Sequence, residues 1–186
     1  MSHDPYTLPT NLPPPEDDGA ADHLVGTMLP QLTLESSQGP VSLRALSLDL
    51  LVLYVYPRTG RPGVAMLEGW DEIPGARGCT PQSLGFRDAY PRLRALGAEV
   101  AGLSAQSLDD QREFAERNEI PYPVIADPEL RLGAALRLPT FQVEGMTLYK
   151  RLTMVVRGCA VAKVFYPVFP PNENAGEVVA WLELGT

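Results

Sequence analysis

The chain has 186 residues, 45% of them hydrophobic, which is typical of one globular domain with its own core. Its formal net charge of −8 argues against nucleic acid and anionic membranes as partners, because both require a basic surface. The sequence contains no apolar run of about 18 residues, so no membrane-spanning segment is expected. The N-terminus also lacks the basic and apolar pattern of a signal peptide.

Cysteine and histidine are scarce, with two of each. Two cysteines cannot build a disulfide framework and are too few for a zinc site made of Cys alone. His3 and His23 both fall near the N-terminus, which argues against a histidine metal centre or a His-assisted nucleophile. We therefore expect no metal and no cofactor. A chain with so few cysteines is expected in a reducing compartment, the cytoplasm.

The chain is predicted to have two parts. Residues 1–23 are rich in proline and acidic residues, and such a composition cannot bury a core of its own. We expect an extended arm that lies over the domain or over a neighbouring subunit. Residues 24–186 are expected to form a single domain.

Within that domain, strand and helix patterns alternate, which predicts an α/β fold with a mixed sheet flanked by helices. The apolar run 48–56 predicts a central strand buried on both faces, and residues 58–78 predict a long loop rich in Gly and Pro. The remaining predicted elements are a hairpin around 36–39, a helix 79–96 that kinks or breaks at Pro91, a strand 98–104, a helix 107–118, a strand 124–125, a helix ending near 136, a hairpin of 147–156 with 160–166 that turns at 157–158, and a helix 174–184.

Cys79 is the leading candidate for a reactive residue. It falls near the start of the predicted helix, with Pro81 in the first turn and Phe86 and Tyr90 repeating at helical spacing. A thiol at this place faces unpaired backbone N–H groups and the positive end of the helix dipole, which favour the nucleophilic thiolate. The alternative is a buried structural cysteine. The loop glycines, the helix start and the adjacent Arg77 favour the reactive interpretation.

Six short motifs in register resemble the peroxiredoxins, and in particular the peroxiredoxin Q (bacterioferritin comigratory protein) branch. The similarity covers about residues 24–184. The motifs are Val-Leu-Tyr-Val-Tyr-Pro (52–57), Gly-Cys-Thr (78–80), Phe-Arg-Asp (86–88), Gly-Ala-Glu-Val-Ala-Gly-Leu-Ser (97–104), Ile-Pro-Tyr-Pro-Val-Ile-Ala-Asp-Pro (120–128) and Arg-Leu-Thr (151–153).

The resemblance implies a thioredoxin-like fold for the domain, with Cys79 as the peroxidatic cysteine and Arg151 as the arginine that supports it. It implies a thiol-dependent peroxidase that reduces hydrogen peroxide or organic hydroperoxides through a cysteine sulfenic acid. It also implies an external thiol reductant of the thioredoxin or glutaredoxin kind, and a homodimer is an expectation from the same source. No metal or cofactor is required.

The loop before the cysteine departs from the family pattern. Ala76 stands three residues before Cys79, where the family usually has Thr or Ser. An insertion separates Pro57 and Thr59, which match the beginning of that motif, from the cysteine. The hydrogen bond to the sulfur could therefore come from Thr59, from Thr80 or from backbone groups alone.

The residues expected to regenerate Cys79 after its oxidation also depart from the family pattern. Leu84 occupies the position five residues after Cys79 where that branch often has a resolving cysteine, so an intrahelical disulfide is excluded. Cys159 is the other thiol, beside a predicted hairpin turn. It is either an incidental strand-end residue or a resolving cysteine that pairs with Cys79, within or between subunits, after a large rearrangement. We expect a one-cysteine cycle.

Two other functions are consistent with the same fold. A thiol–disulfide oxidoreductase is disfavoured because the chain has no Cys-x-x-Cys motif. A non-enzymatic relative would use the altered loop before Cys79 to bind a partner or to sense oxidant.

Overall fold

A computed structural model of the chain describes residues 4–185, so His3, the first three residues of the predicted arm and Thr186 at the end of the predicted domain lie outside the described range. The strands are β1 (Thr33–Leu34), β2 (Val41–Ser42), β3 (Leu50–Val55), β4 (Glu99–Ser104), β5 (Val124–Ala126), β6 (Thr140–Val143), β7 (Met146–Tyr149), β8 (Leu152–Arg157) and β9 (Ala160–Phe165). The α-helices are α1 (Leu43–Leu46), α2 (Cys79–Ala95), α3 (Leu108–Arg117), α4 (Arg131–Leu136) and α5 (Asn174–Leu184), with short 3-10 helices at Trp70–Glu72 and Pro171–Glu173.

Five strands form the central sheet in the order β5-β4-β3-β8-β9. The pairs β3–β4 and β4–β5 are parallel, whereas β8 is antiparallel to both β3 and β9. The sheet is therefore mixed, and the predicted α/β class is confirmed. Among residues 4–185, no helix is both long enough and apolar enough to cross a membrane.

The central strand β3 is buried on both faces, as its continuous apolar sequence predicts. Leu51 and Leu53 face a core that also contains Leu132 of α4. Val52 and Tyr54 face the opposite core, which contains side chains of α2, α3 and α5. Successive strand residues point to opposite faces, so one short strand anchors both helical layers.

The predicted single strand 147–156 is wrong. Residues 146–149 form β7, which pairs with β6 in a separate hairpin, and β8 begins only at Leu152. The hairpin turns at Glu144 and Gly145, whose φ angles of 46° and 76° are those of a tight two-residue turn. The chain thus leaves the small hairpin and enters the central sheet at Lys150–Arg151. This break places Arg151 at the N-terminal end of β8, beside the C-terminal end of β3.

Other predicted elements agree more closely with the structure. Ser107 begins α3 by accepting a hydrogen bond from the backbone N–H of Asp110, as expected for an N-cap. The predicted break at Pro91 does not occur, because α2 continues through this residue to Ala95. The helix packs against α5, and this packing offsets the hydrogen bond that the proline cannot donate.

The N-terminal arm lies over its own domain. Arg77 Nη2 donates hydrogen bonds to the carbonyl oxygens of Asp4 (2.7 Å) and Thr7 (2.9 Å). Farther along the arm, Asp18 forms a 2.7 Å ion pair with Lys150. The arm therefore contacts the loop that precedes α2 and the junction between β7 and β8.

Candidate active site

Cys79 is the first residue of α2. Gly78 precedes it with a φ of 102°, a backbone conformation that glycine adopts readily and that turns the loop into the helix. The side chain is 3% exposed, and its Sγ lies 3.5 Å from the carbonyl oxygen of Ala76. The N–H groups of this first helical turn have no partner within the helix, so the sulfur lies at a positively polarised helix end.

Arg151 reaches the same sulfur from the central sheet. Leu152 pairs with Val55 at the C-terminal end of β3, and Arg151 directly precedes Leu152. The strand register therefore places the guanidinium at the end of the sheet where α2 begins. Arg151 Nη2 lies 3.2 Å from Cys79 Sγ. The Arg151 side chain is buried, and a buried cation in this position is placed to stabilise negative charge on the sulfur or on an oxygen bound to it.

The loop before Cys79 wraps around the same guanidinium. Arg151 Nη2 donates to the carbonyl oxygens of Gly75 (3.2 Å), Ala76 (3.0 Å) and Arg77 (3.1 Å). These carbonyls fix the guanidinium against the loop, so the position of Arg151 and the conformation of the loop depend on each other.

Gln82 is a further contact of Arg151, and no sequence motif singles it out. Its Oε1 accepts a 2.6 Å hydrogen bond from Arg151 Nη1, and its Nε2 donates to Asn174 Oδ1 at 3.0 Å. Thr153 donates to the same Asn174 oxygen at 2.7 Å. Gln82 stands three residues after Cys79, so helical spacing could have identified it as a neighbour on the same face.

The candidate hydroxyl groups differ in their surroundings. Thr59 donates through both its backbone N–H and its hydroxyl to Gln106 Oε1, at 2.8 and 3.1 Å. In the described part of the chain, the hydroxyl of Thr59 is therefore directed to Gln106. Pro57 is buried two residues after the end of β3, and Thr80 is buried beside Cys79 in the first turn of α2.

The insertion before Cys79 packs onto the body of the domain. Trp70 is buried with Ala76 and Leu148, and its ring lies 6.3 Å from that of Phe141. Arg77 Nη1 forms a 2.8 Å ion pair with Asp71, so the same side chain joins the insertion to the arm.

Cys159 lies at the opposite end of the sheet from Cys79. Its backbone N–H bonds to the carbonyl of Ser47, before β3 begins, whereas Cys79 follows the end of β3. Cys159 lies in the turn that follows β8. The six residues of β8 separate this turn from Arg151, and at about 3.3 Å per residue they span roughly 20 Å. A disulfide requires Cα atoms within about 7 Å, so this arrangement does not allow Cys79 and Cys159 to pair within one chain.

Within residues 4–185, no cluster of three or more His, Cys, Asp or Glu residues is arranged to hold a metal ion. The geometry at Cys79 instead combines a buried thiol, a helix N-terminus and a guanidinium. Such a site can generate a nucleophilic sulfur and stabilise negative charge on a leaving oxygen.

Comparison with known proteins agrees with this chemistry. The model of the AhpC/TSA family matches residues 73–160, a range that contains both Cys79 and Arg151. Peroxiredoxin Q from the chloroplast of Gentiana triflora is 30% identical over 182 residues, covering 94% of this chain and 76% of that protein. Peroxiredoxin bcp1 of Schizosaccharomyces pombe is 32% identical over 129 residues, covering 67% of this chain and 58% of that protein.

Solved structures show the same fold. Peroxidoxin BcpB from Mycobacterium tuberculosis superimposes with a TM-score of 0.68 at 25% identity, covering 86% of this chain and 96% of that one. Peroxiredoxin Q from Xanthomonas campestris superimposes with a TM-score of 0.69 at 24% identity, covering 86% and 97%. The expected thioredoxin-like fold is therefore confirmed. With the sequence similarity and the site at Cys79, these matches establish that the chain belongs to the peroxiredoxin family, in its peroxiredoxin Q branch.

Proposed function

We propose that the protein is a thiol-dependent peroxidase of the one-cysteine type, with Cys79 as the peroxidatic cysteine. The observation that carries this proposal is the 3.2 Å contact between Arg151 Nη2 and Cys79 Sγ at the start of α2. The roles assigned to the other residues are supporting ones: Thr80 and Pro57 shape the first turn of α2 and the end of β3, and Thr59 holds the loop through Gln106.

In the first half of the cycle, the Cys79 thiolate attacks one oxygen of the peroxide. An S–O bond forms, the O–O bond breaks, and the electron pair leaves with the second oxygen, which takes up a proton and departs as water or an alcohol. The cysteine is oxidised to a sulfenic acid. Arg151 and the N–H groups of the first helical turn stabilise the charge on the departing oxygen.

In the second half, an external thiol regenerates the enzyme. The sulfenic acid condenses with that thiol to give a mixed disulfide and water, and a second thiol releases Cys79. The position of Cys159 supports this route, because the length of β8 separates it from Cys79. A thioredoxin- or glutaredoxin-like protein would supply both thiols.

We place this activity in the cytoplasm, since Cys79 must return to the thiol after each turnover and a reducing compartment maintains that state. We further propose a homodimer as the working form. Sedimentation of the reduced protein tests the dimer, and a single species with the mass of one chain would contradict it.

The decisive experiment is the intact mass after one equivalent of hydrogen peroxide, for the wild type, Cys79→Ser and Cys159→Ser. We expect one added oxygen in the wild type and in Cys159→Ser. In Cys79→Ser we expect no oxygen to be added over the same exposure time. A loss of two hydrogens that requires both cysteines would instead make Cys159 the resolving residue. If brief exposure leaves the wild type unchanged, the non-enzymatic interpretation replaces the proposal.

A further inference from the structure

Asn174, the first residue of α5, is buried and is connected to the Arg151 guanidinium through one intervening side chain. Its Oδ1 accepts a hydrogen bond from Gln82 Nε2 at 3.0 Å and another from Thr153 Oγ1 at 2.7 Å. Gln82 Oε1 accepts from Arg151 Nη1 at 2.6 Å, and Arg151 Nη2 lies 3.2 Å from Cys79 Sγ. A continuous series of hydrogen bonds therefore leads from the C-terminal helix to the reactive sulfur.

The fold brings these side chains together on one face of the central sheet. Arg151 and Thr153 are two positions apart at the beginning of β8, so their side chains point to the same face. The next residue in this alternation, Val155, packs in the core that also contains side chains of α2 and α5. Gln82 and Asn174 approach from these two helices, and both are buried. Away from water, a hydrogen bond lost from this series has no ready replacement.

Arg151 determines the direction of every hydrogen bond in the series. A guanidinium can only donate, so the atom of Gln82 that faces it must be the carbonyl oxygen. The amide nitrogen of Gln82 then points to Asn174, which must present its own oxygen. The Thr153 hydroxyl can donate or accept in general, and here it is left to donate. Half a turn of either amide would bring two donors together, so each amide holds the other in one orientation.

Packing alone does not account for an amide at position 174. Among residues 4–185, Asn174 Nδ2 is buried without a hydrogen-bond partner. A buried donor in this state lowers stability, so it calls for an explanation other than stability. The oxygen of the same amide accepts from two donors and thereby orients Gln82. A residue that weakens the fold in one respect while orienting its neighbours is typical of a functional site.

We propose that Asn174 is a positioning residue for the reaction of Cys79 with peroxide, acting through Gln82 on Arg151. This inference rests on the proposed function, since it requires Cys79 to be peroxidatic. Within residues 4–185, Gln82 is the only acceptor for Arg151 Nη1. Without Asn174, the Gln82 amide rotates freely and Nη1 loses its fixed acceptor. The guanidinium then spends less time in the orientation that stabilises the charge on the departing oxygen.

The test measures the second-order rate constant of the reduced full-length protein with hydrogen peroxide by stopped flow. We expect Asn174→Ala to lower this constant by about threefold to tenfold. Because Asn174 acts through Gln82, the double variant Asn174→Ala/Gln82→Ala should stay within about twofold of Gln82→Ala alone. Two independent contributions would multiply, and the double variant would then be slower than Gln82→Ala by the full effect of Asn174→Ala.

The matched control is Asn118→Ala. Asn118 is a buried asparagine at the end of α3, where its Nδ2 donates to the carbonyl oxygen of Phe114 at 2.8 Å. Its replacement should lower the unfolding midpoint in urea while the rate constant stays within about twofold of the wild type. A fall in rate that merely follows from lost stability would appear in Asn118→Ala as well.

A second pair of variants leaves Asn174 in place and decides the matter if Asn174→Ala does not fold. Thr153→Val removes the hydroxyl donor with little change in volume and should slow the reaction by about twofold to fivefold. Thr153→Ser keeps the hydroxyl and should recover most of that rate. Urea unfolding verifies that each variant is folded.

The inference is overturned if folded Asn174→Ala reacts at the wild-type rate, if the effects of Asn174→Ala and Gln82→Ala multiply, or if Asn118→Ala loses as much rate. Thr153→Ser as slow as Thr153→Val, or Thr153→Val as fast as the wild type, also overturns it. A wild type that does not react with hydrogen peroxide contradicts the proposed function instead, so the two failures can be distinguished.

Discussion

Gln82 and Arg151 are joined by a 2.6 Å hydrogen bond behind the reactive sulfur. Gln82 lies on the first turn of α2 and Arg151 lies at the entry to β8, so this bond ties the helix that carries Cys79 to the sheet. Both side chains are buried. Since Gln82 is also held by Asn174 of α5, the orientation of the guanidinium depends on a hydrogen bond to the C-terminal helix.

Replacing Gln82 by Ala should slow the reaction of Cys79 with hydrogen peroxide by about tenfold, because the loss of roughly 1.5 kcal/mol of orienting interaction corresponds to that factor. Stopped-flow measurement of the second-order rate constant checks this. Gln82→Glu keeps the acceptor for Arg151 and should recover much of the rate. If both variants lose rate and unfolding free energy in the same proportion, Gln82 is structural only.

Arg151→Lys should lower the same rate constant by about 10- to 100-fold although the charge is kept. A lysine offers one compact ammonium group, whereas Arg151 uses separate nitrogens for Gln82 and for Cys79 Sγ. Arg157→Lys is a matched control on an exposed side chain at the far end of β8. An Arg151→Lys enzyme as fast as the wild type would remove Arg151 from the mechanism.

The buried tyrosines make the protein sensitive to alkali. Burial raises the pKa of Tyr54 to about 12, against an ordinary value of 10.0. A raised pKa of the folded state means that the contribution of Tyr54 to stability is complete below pH 10 and is lost between pH 10 and about 12, as the unfolded chain ionises first.

We therefore expect the free energy of unfolding to fall by about 2–3 kcal/mol per such tyrosine across this range. Urea unfolding at a series of pH values measures it. Tyr54→Phe should be less stable at pH 7, because the buried hydrogen bond between the Tyr54 and Tyr122 hydroxyls is lost, but should decline less steeply above pH 10. Tyr6→Phe, at an exposed position, should follow the wild-type curve, and identical slopes for all three proteins would refute the argument.

Gly78→Ala should destabilise the protein by about 2–5 kcal/mol, the sum of a left-handed backbone conformation and overpacking. An added Cβ would lie 2.3 Å from Cγ of Pro171, a ring atom with little freedom to move. Gly39→Ala is the matched control, because Gly39 has a similar φ of 95° and nothing within 4 Å of the added Cβ. Equal losses in the two variants, measured by chemical denaturation, would show that crowding at Gly78 has no effect.

The elements that were predicted from the sequence are those with local signals. The apolar run of β3 predicts burial on both faces, and the glycines before Cys79 predict a loop that enters a helix, as the structure has it. The β6–β7 hairpin was missed, although Glu144-Gly145 between alternating residues is a recognisable turn signal. The predicted single strand does not explain why Arg151 lies at the N-terminal end of β8, which follows from the turn back out of this hairpin.

The remaining features depend on contacts between distant parts of the chain. Asn174 lies 92 positions from Gln82, and no periodicity relates the two residues. The arm is positioned by the backbone carbonyls of Asp4 and Thr7, which any sequence would provide. Proline-rich segments have no hydrophobic periodicity, so the sequence does not predict which surface of the domain such a segment packs against.

Because the Cys79 sulfur is buried, the peroxide and the reducing thiol differ in how easily each can reach it. Cys79 is 3% exposed, and Gly78 beside it is closely covered by Leu8 of the arm and by Pro171. A mixed disulfide requires a second sulfur at about 2.05 Å, and a cysteine carried on another protein brings a folded surface with it. A small peroxide needs only a narrow passage, but a cysteine on a folded reductant can reach the sulfur only if the arm and the beginning of α2 move apart. If the reductant is a protein, the rate of that movement sets an upper limit on turnover, whatever the speed of the first chemical step.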